Sequence, residues 1–412
     1  MFRKIVIGLF LLVAGTALAQ KGTTSPYSYY GIGSIKFRGT VENSSMGGLS
    51  VFSDSIHINL QNPAGYASLR LINFTVGASH KAVNQKNDTD TQNSSSTTLD
   101  YLAMGIPMGK FGMGFGLVPY STVGYNFYSD VENGTTRYEG NGGLNRAFLS
   151  LGYQVTPELS LGIDANYNFG KIENTAITQK ADVQYGTQVV NRSVLAGFSY
   201  NFGAIYKRMI TENLELSGAV TFSPGTNFTS ENYRQTSSVS ILPTGIYPVD
   251  EREVDVANTE FTFPSELTVG VGISKPKAWG VGVEYTNQKS SNFTNRSFTI
   301  DKVTYKNASK FNLGGYYIPN YNSFGNYYKR IVYRAGARFD QTGIAVDGHD
   351  INEFGISFGV GLPVGRLFSN INLGVEIGKR GTTDFGLIQE NFVNTFLSFS
   401  LNDRWFEKRL YD

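Results

Sequence analysis

The chain has 412 residues, with 35 basic and 33 acidic side chains, 47 glycines and no cysteine. Aromatic residues make up 14% of the chain and charged residues only 17%, which excludes a disordered protein. The absence of cysteine excludes a disulfide scaffold, a thiolate metal site and a cysteine nucleophile. The three histidines (His57, His80 and His349) are far apart in sequence, and no basic stretch indicates nucleic-acid binding. We therefore expect no metal, no cofactor and no nucleic-acid partner.

Residues 1–19 have the three parts of a secretory signal peptide. Arg3 and Lys4 precede an apolar run over residues 5–14, and Ala17-Leu18-Ala19 fits a cleavage site. The apolar run is too short for a membrane-spanning helix, and no cysteine follows the site to make a lipoprotein. Cleavage near Ala19 would remove both basic residues and leave a near-neutral exported chain with 33 basic and 33 acidic side chains.

Beyond the signal peptide, the recurring pattern is alternation of apolar with small or polar residues, which predicts strands with one apolar face. In 159–170, for example, Leu159, Leu161 and Ile163 alternate with Ser160 and Gly162. Fourteen such segments are predicted: 70–79, 97–107, 111–127, 144–155, 159–170, 193–207, 213–223, 261–274, 278–287, 308–317, 330–340, 351–362, 369–379 and 391–402.

The connections between these segments are alternately long and short. Residues 108–110 and 156–158 are short connections, whereas 128–143 and 224–260 are long, and 318–329 is longer than the alternation predicts. Backbone groups in lipid must be paired within the protein, so strands span a membrane only as a closed barrel, with short turns on the periplasmic side. A soluble propeller would repeat a motif about every 40 residues, and no such repeat is present. We predict a fourteen-stranded antiparallel transmembrane β-barrel over residues 70–402 in the bacterial outer membrane.

Residues 20–69 precede the first strand and are rich in glycine and serine. An even strand number returns both chain ends to the periplasmic side, from which this segment can fold into the barrel lumen as a hatch. A disordered periplasmic tail is the alternative, but Ile56, Ile58 and Leu60 make it less favourable. Residues 403–412 would form a periplasmic C-terminal tail.

Motifs in this N-terminal segment resemble the hatch of the FadL-type outer-membrane transporters of long-chain fatty acids and aromatic hydrocarbons. The resemblance rests on Gly39, residues 45–48, Asp54 and residues 59–65, and it extends to Leu117-Val118-Pro119-Tyr120 and Phe263-Pro264. The ending 402–409 also resembles PorV, a FadL-like barrel of the type IX secretion system. The resemblance implies a hatch that includes Gly47, Gly48, Asn62, Pro63 and Ala64.

Pro119 indicates a break in the third strand because proline lacks the N–H that a strand ladder requires. Together with Gly112, Gly114 and Gly116, the break would leave a lateral opening toward lipid, as the FadL resemblance also implies. Alternatively, the strand simply ends near Val118 and the outer loop begins there.

A set of charged residues falls on the polar faces of the predicted strands and is expected to point into the lumen. Two interpretations are open: Arg334 and Arg338 bind a ligand carboxylate, or the lumen charges neutralise one another and bond the hatch. The members of the set are Arg146, Asp164, Glu284, Arg334, Arg338 and Glu376.

The long connection 224–260 contains apolar residues that would form a ligand-capture groove, or else pack across the barrel mouth; they are Phe228, Ile241, Leu242, Ile246 and Tyr247. In the C-terminal tail, Trp405 and Phe406 are candidates for partner docking, with a loosely ordered tail as the alternative.

Two functions follow from these expectations. The first is passive uptake of hydrophobic small molecules through a hatch-gated lumen and a lateral opening. The second is a non-transporting accessory subunit of an outer-membrane protein complex, for type IX secretion or barrel assembly. Partners would be outer-membrane lipid and either a hydrophobic small molecule or protein subunits. No Ser-His-Asp order and no nucleotide-binding loop is present, so we expect neither catalysis nor energy-driven transport.

Overall fold

A computed structural model describes residues 22–292, 303–323, 325–364 and 369–404. The predicted signal peptide and the docking candidates Trp405 and Phe406 lie outside the described residues. Within the described ranges, the helices are all too short or too polar to cross a bilayer.

The described residues form nineteen strands in one sheet, numbered in chain order. They are β1 Ser34–Ile35, β2 Ile72–Lys86, β3 Thr91–Met108, β4 Phe111–Val131, β5 Gly134–Gln154, β6 Leu159–Lys180, β7 Gly186–Met209, β8 Glu215–Ser223, β9 Thr226–Leu242, β10 Gly245–Val254, β11 Thr259–Phe263, β12 Glu266–Lys275, β13 Trp279–Gln288, β14 Val303–Tyr305, β15 Ala308–Tyr317, β16 Val332–Val346, β17 His349–Val364, β18 Ser369–Arg380 and β19 Gln389–Asp403.

Fourteen of these strands close an antiparallel barrel: β2–β8, β12, β13 and β15–β19. Closure comes from β19, which pairs with β2 from Gln389↔Lys86 to Asp403↔Ile72. The predicted fold class is confirmed. The predicted alternation is visible on β6, where Leu161 and Ile163 are 45% and 40% exposed on the outside while Asp164 is 1% exposed inside.

The predicted long connections 128–143 and 224–260 consist largely of strand. The connection 128–143 is only a turn at residues 132–133, since β4 and β5 continue as a paired hairpin, and 224–260 contains the β9–β10 hairpin. Beyond the lipid, polar residues occupy both strand faces, so alternation is lost although backbone pairing continues. The alternative in which the third predicted strand ends near Val118 is therefore wrong, because β4 extends to Val131.

The N-terminal segment, residues 22–71, packs against inward-facing side chains of the barrel. It contains a short α-helix, Val41–Ser44, and 3₁₀ turns at Pro26–Tyr29 and Pro63–Ser68. One buried cluster joins Val41, Ile58 and Tyr66 of the segment to Tyr101 and Phe148 of the barrel. The hydrophobic core of this protein therefore lies between the N-terminal segment and the inner wall.

Candidate functional site

The barrel wall separates between β3 and β4. These strands pair only from Met108↔Phe111 to Leu102↔Leu117. Further outward, β3 remains paired with β2 and β4 remains paired with β5, but the two are not paired with each other. We call this separation, outward of the Leu102–Leu117 pair, the seam.

A β-bulge flanks the seam on each side. On β3 the extra residue is Asp100, and on β4 it is Tyr120, directly after Pro119. Bulges bend a strand and increase its twist, which turns β3 and β4 apart at this height. The predicted irregularity at Pro119 thus lies two residues beyond the last pair of the β3–β4 ladder.

The N-terminal segment occupies the seam through β1. Its residues Ser34 and Ile35 pair with Thr122 and Ser121 of β4. The amide of Lys36 donates to the Tyr120 carbonyl at 2.9 Å, which extends this pairing.

Contact with the opposite strand comes from a side chain. Lys36 Nζ donates to Thr98 Oγ1 of β3 at 3.0 Å and lies 3.9 Å from Asp100 Oδ1. At the seam, the backbone of β1 is bonded to β4 and the Lys36 ammonium is bonded to β3. The segment has two further bonds to β3: Thr24 Oγ1 lies 2.8 Å from Ser94 Oγ, and the Val41 amide donates to the Tyr101 hydroxyl at 3.1 Å.

Behind the seam lies a chamber of about 460 Å³, whose lining includes Ile35, Lys36 and Tyr120. The lining carries seven basic and six acidic side chains. They are Lys36, Arg38, Lys81, Arg146, Lys310, Arg338 and Arg380, and Asp100, Glu266, Glu284, Asp340, Glu353 and Glu376. A chamber of this composition favours polar contents over a hydrophobic molecule.

The predicted lumen residues Arg338 and Glu376 are brought together in this chamber. The Arg338 guanidinium also bonds Asp340 and Glu353, so one cation joins three carboxylates. Asp340 and Glu353 are not among the predicted lumen residues. Their signal in the sequence is that Asp340 lies two residues from Arg338, on the same strand face; in the structure, Asp340 is the cross-strand partner of Glu353. These contacts favour mutual neutralisation of lumen charges over binding of a ligand carboxylate.

Two other predicted lumen residues bond the N-terminal segment. Asp164 pairs with Arg38, and Glu284 Oε2 accepts from the Ser50 amide at 3.0 Å and from its hydroxyl at 2.8 Å. Both carboxylates are at most 3% exposed. They hold the segment against β6 and β13.

The remaining pair, Arg146 and Arg334, has amide rather than carboxylate partners. Arg146 Nε donates to Asn168 at 2.8 Å, and its guanidinium lies 4.3 Å from the Tyr120 ring centroid. Arg334 donates to Asn372 at 3.2 Å. The six predicted lumen charges therefore belong to several local networks and do not form a single site.

The predicted hatch residues all lie in tight contact with the wall. Asn62 is fully buried; its side-chain oxygen accepts from the Ala64 amide, and its amide donates to the Ala204 carbonyl at 3.2 Å. Gly47 and Gly48 have φ values of 70° and 91°, which suit glycine in the turn after the helix. Pro63 begins the 3₁₀ turn of the segment.

Gly112, Gly114 and Gly116 point inward and do not line the seam. A Cβ at Gly112 or Gly114 would collide with the backbone or ring of Tyr66, and one at Gly116 would crowd Phe148. These glycines make room for the N-terminal segment and for the core around it. We infer that this close approach is their structural role.

A family model named BamG matches residues 1–412, the entire chain. The chain belongs to the BamG family.

Solved structures similar to this BamG-family barrel share its fold at low sequence identity. They include the "CymD monoaromatic hydrocarbon channel" (13% identity, TM-score 0.61, 91% of this chain and 100% of that one) and the Ralstonia pickettii toluene transporter TbuX (15%, 0.59, 90% and 100%). A Pseudomonas aeruginosa FadL homologue is also similar (12%, 0.56, 90% and 98%). A search of curated proteins found no match. The FadL resemblance is thus confirmed for the fold, and the PorV-like sub-branch stays a prediction.

The predicted capture residues of the BamG-family chain are divided between two places. Phe228 is 1% exposed and stacks on Phe263 at 4.4 Å within an aromatic core. Ile241, Leu242 and Tyr247 are exposed near the tip of the β9–β10 hairpin, where Ile246 pairs with Ile241. Phe228 thus lies inside the barrel mouth, thirteen residues from Ile241 along β9.

Proposed function

We propose that this BamG-family barrel is an accessory subunit of an outer-membrane protein complex, for barrel assembly or secretion, and that solutes do not cross its lumen. The observation that carries the proposal is the charged chamber behind the seam, whose lining has thirteen basic and acidic side chains. Binding sites for hydrophobic compounds are lined mainly by apolar side chains with few polar groups. Whole-chain membership in the BamG family supports the same proposal, because the likeness to hydrocarbon channels is one of fold.

The bonding of the N-terminal segment supports a permanently closed lumen. In addition to its bonds with β3 and β4, five of its polar contacts with the barrel are Arg38 to Asp164 of β6, Asn62 to Ala204 of β7, Ser50 to Glu284 of β13, Gly47 to Ser357 of β17 and Glu42 to Asn372 of β18. At about 1 kcal/mol per hydrogen bond, displacement of the whole segment costs on the order of 5 kcal/mol before packing is counted. About one barrel in several thousand would then be open.

Native mass spectrometry of the tagged protein, extracted gently from its own outer membrane, tests the proposal. We expect a stoichiometric protein complex in which the barrel carries no apolar adduct. Deletion of residues 403–412 would show whether Trp405 and Phe406 bind the partner. A monomer that carries a small hydrophobic molecule would contradict the proposal.

Passive uptake of a hydrophobic compound is the second candidate, and the seam specifically favours it. A compound entering from the barrel mouth would leave sideways into lipid where β1 fills the space between β3 and β4. The similar structures include a protein described as a monoaromatic hydrocarbon channel and two described as toluene transporters.

A disulfide across the seam separates the two candidates. Ser34 and Thr122 are direct partners in the β1–β4 pairing, and antiparallel partners lie within the usual Cα range for a disulfide. The chain has no cysteine, so Ser34→Cys with Thr122→Cys creates one intended bond. Uptake that stops on oxidation and returns on reduction would support transport, whereas an unaffected function would support the accessory role.

A further inference from the structure

A groove of about 810 Å³ lies on the outer wall of the barrel, across β13 and β15–β18. The floor of the groove is formed where the small residues Gly315 and Ala335 face outward. Its sides include the larger residues Tyr317, Tyr333 and Phe358. On a lipid-facing wall, this groove presents a concave apolar surface in place of a ridge of large side chains.

The groove ends at an unusual corner of the barrel, on the side of the short turns, which is periplasmic in outer-membrane barrels. The turns 275–279 and 318–331 together contain four basic and no acidic residues: Lys275, Lys277, Lys329 and Arg330. Among the other turns on this side, 155–158 and 210–214 contain Glu158 and Glu212, and 109–110 contains the single basic residue Lys110. Positive charge is therefore concentrated under the groove.

One hydrogen bond joins this cationic corner to the groove, and further contacts hold the corner together. The hydroxyl of Tyr333, a groove residue, donates to the Tyr328 carbonyl at 3.4 Å. The adjacent Lys329 has its carbonyl bonded by the Asn320 amide at 2.8 Å, and the Arg330 guanidinium lies 5.4 Å from the Tyr327 ring. No described carboxylate pairs with Lys329 or Arg330.

We propose that this corner is a binding site for a phosphate-bearing lipid of the periplasmic leaflet, with one acyl chain in the groove and the phosphate beside Lys329 and Arg330. An apolar groove that ends in unpaired cations matches an amphiphile with an anionic head. The corner also has the exposed tyrosines Tyr317, Tyr327 and Tyr328, a residue type that is enriched at membrane–water boundaries. The proposal does not depend on the accessory role or on transport.

Lipid titration of the delipidated, full-length protein in detergent, read by native mass spectrometry, tests the site. The probes are dioleoyl phosphatidylglycerol, dioleoylglycerol with the same chains but no phosphate, and inorganic phosphate. We expect one phosphatidylglycerol per barrel to bind more tightly than dioleoylglycerol, with inorganic phosphate a poor competitor. Equal binding of both lipids, or full competition by phosphate, would overturn the proposal.

Matched variants locate the site. Lys329→Gln with Arg330→Gln should weaken binding about 30-fold, from about 1 kcal/mol per basic side chain near a membrane surface. Ala335→Trp, which fills the groove, should abolish binding, whereas Ala165→Trp on the outward face of β6 and Lys110→Gln in another short turn should leave it within twofold. Equal losses in target and control variants would refute the assignment. The assignment would also be refuted if Ala335→Trp abolished binding of a protein partner while none of the variants changed lipid binding.

Discussion

Lys36 is predicted to keep the seam closed, and Lys36→Met is the most informative single change. The substitution preserves most of the aliphatic side chain but removes the ammonium that bonds Thr98 and lies beside Asp100. A hydrogen bond from a charged group contributes about 2 kcal/mol, and the Lys36 side chain is only 24% exposed. The population in which β1 leaves β4 should therefore rise about 30-fold.

Hydrogen exchange in detergent micelles measures this opening directly. The reporter is the Lys36 position itself, whose amide bonds the Tyr120 carbonyl in the closed state. We expect its exchange to accelerate about 30-fold, with little change in the strands on the far side of the barrel. Lys81→Met is the control, because Lys81 lines the chamber and packs on Phe392. Equal exchange in wild type and Lys36→Met would refute the role of this side chain.

Three further predictions concern the N-terminal segment and the chamber. Gly114→Val should displace Tyr66 and destabilise the segment by about 1–3 kcal/mol. The measurement is faster proteolysis of residues 50–70, with Ala165→Val on the outer wall as a control that should not have this effect. Equal proteolysis of the two variants would argue against the close packing. Arg338→Met should lower the free energy of unfolding in urea by about 3 kcal/mol, because three carboxylates lose their shared cation. A decrease of less than about 0.5 kcal/mol would show that the network does not stabilise the barrel. Burial alone lowers the pKa of His57, but the carboxylates of Asp54 and Glu42 outweigh it and raise the pKa above its ordinary value. This interaction is fully present below about pH 6.5 and is lost as pH rises through the raised pKa. The protection factors of residues 53–58, in which the intrinsic exchange rate at each pH is divided out, should therefore fall toward alkaline pH in wild type but not in His57→Gln.

The barrel could be predicted from the sequence because each lipid-facing strand carries its own local signal. Leu161 and Ile163 alternate with inward polar residues whatever the neighbouring strands do. The extended hairpins above the lipid could not be predicted in this way, since β9 and β10 carry polar residues on both faces. Their strand character comes from cross-strand pairing between residues such as Ile241 and Ile246, which no local period reveals.

The seam was predictable only in part. Pro119 lies two residues beyond the end of the β3–β4 ladder, and its lack of an N–H is visible in the sequence. The strand that fills the seam, β1, is not visible in the sequence. It has only two residues, and its pairing with Ser121 and Thr122 joins positions almost ninety residues apart. Likewise, the inward glycines Gly112 and Gly114 are explained by Tyr66, a contact that only the folded barrel creates.

Genetic complementation with a seam-locked barrel tests the accessory role most directly. The oxidised Ser34→Cys/Thr122→Cys protein is introduced into a strain that lacks the natural copy, and the outer-membrane protein content is compared with that of the wild type. If the barrel serves as a closed accessory subunit, the locked protein restores that content fully, with or without reductant. Restoration that requires reduction of the disulfide would show that the seam must open, and would contradict the account.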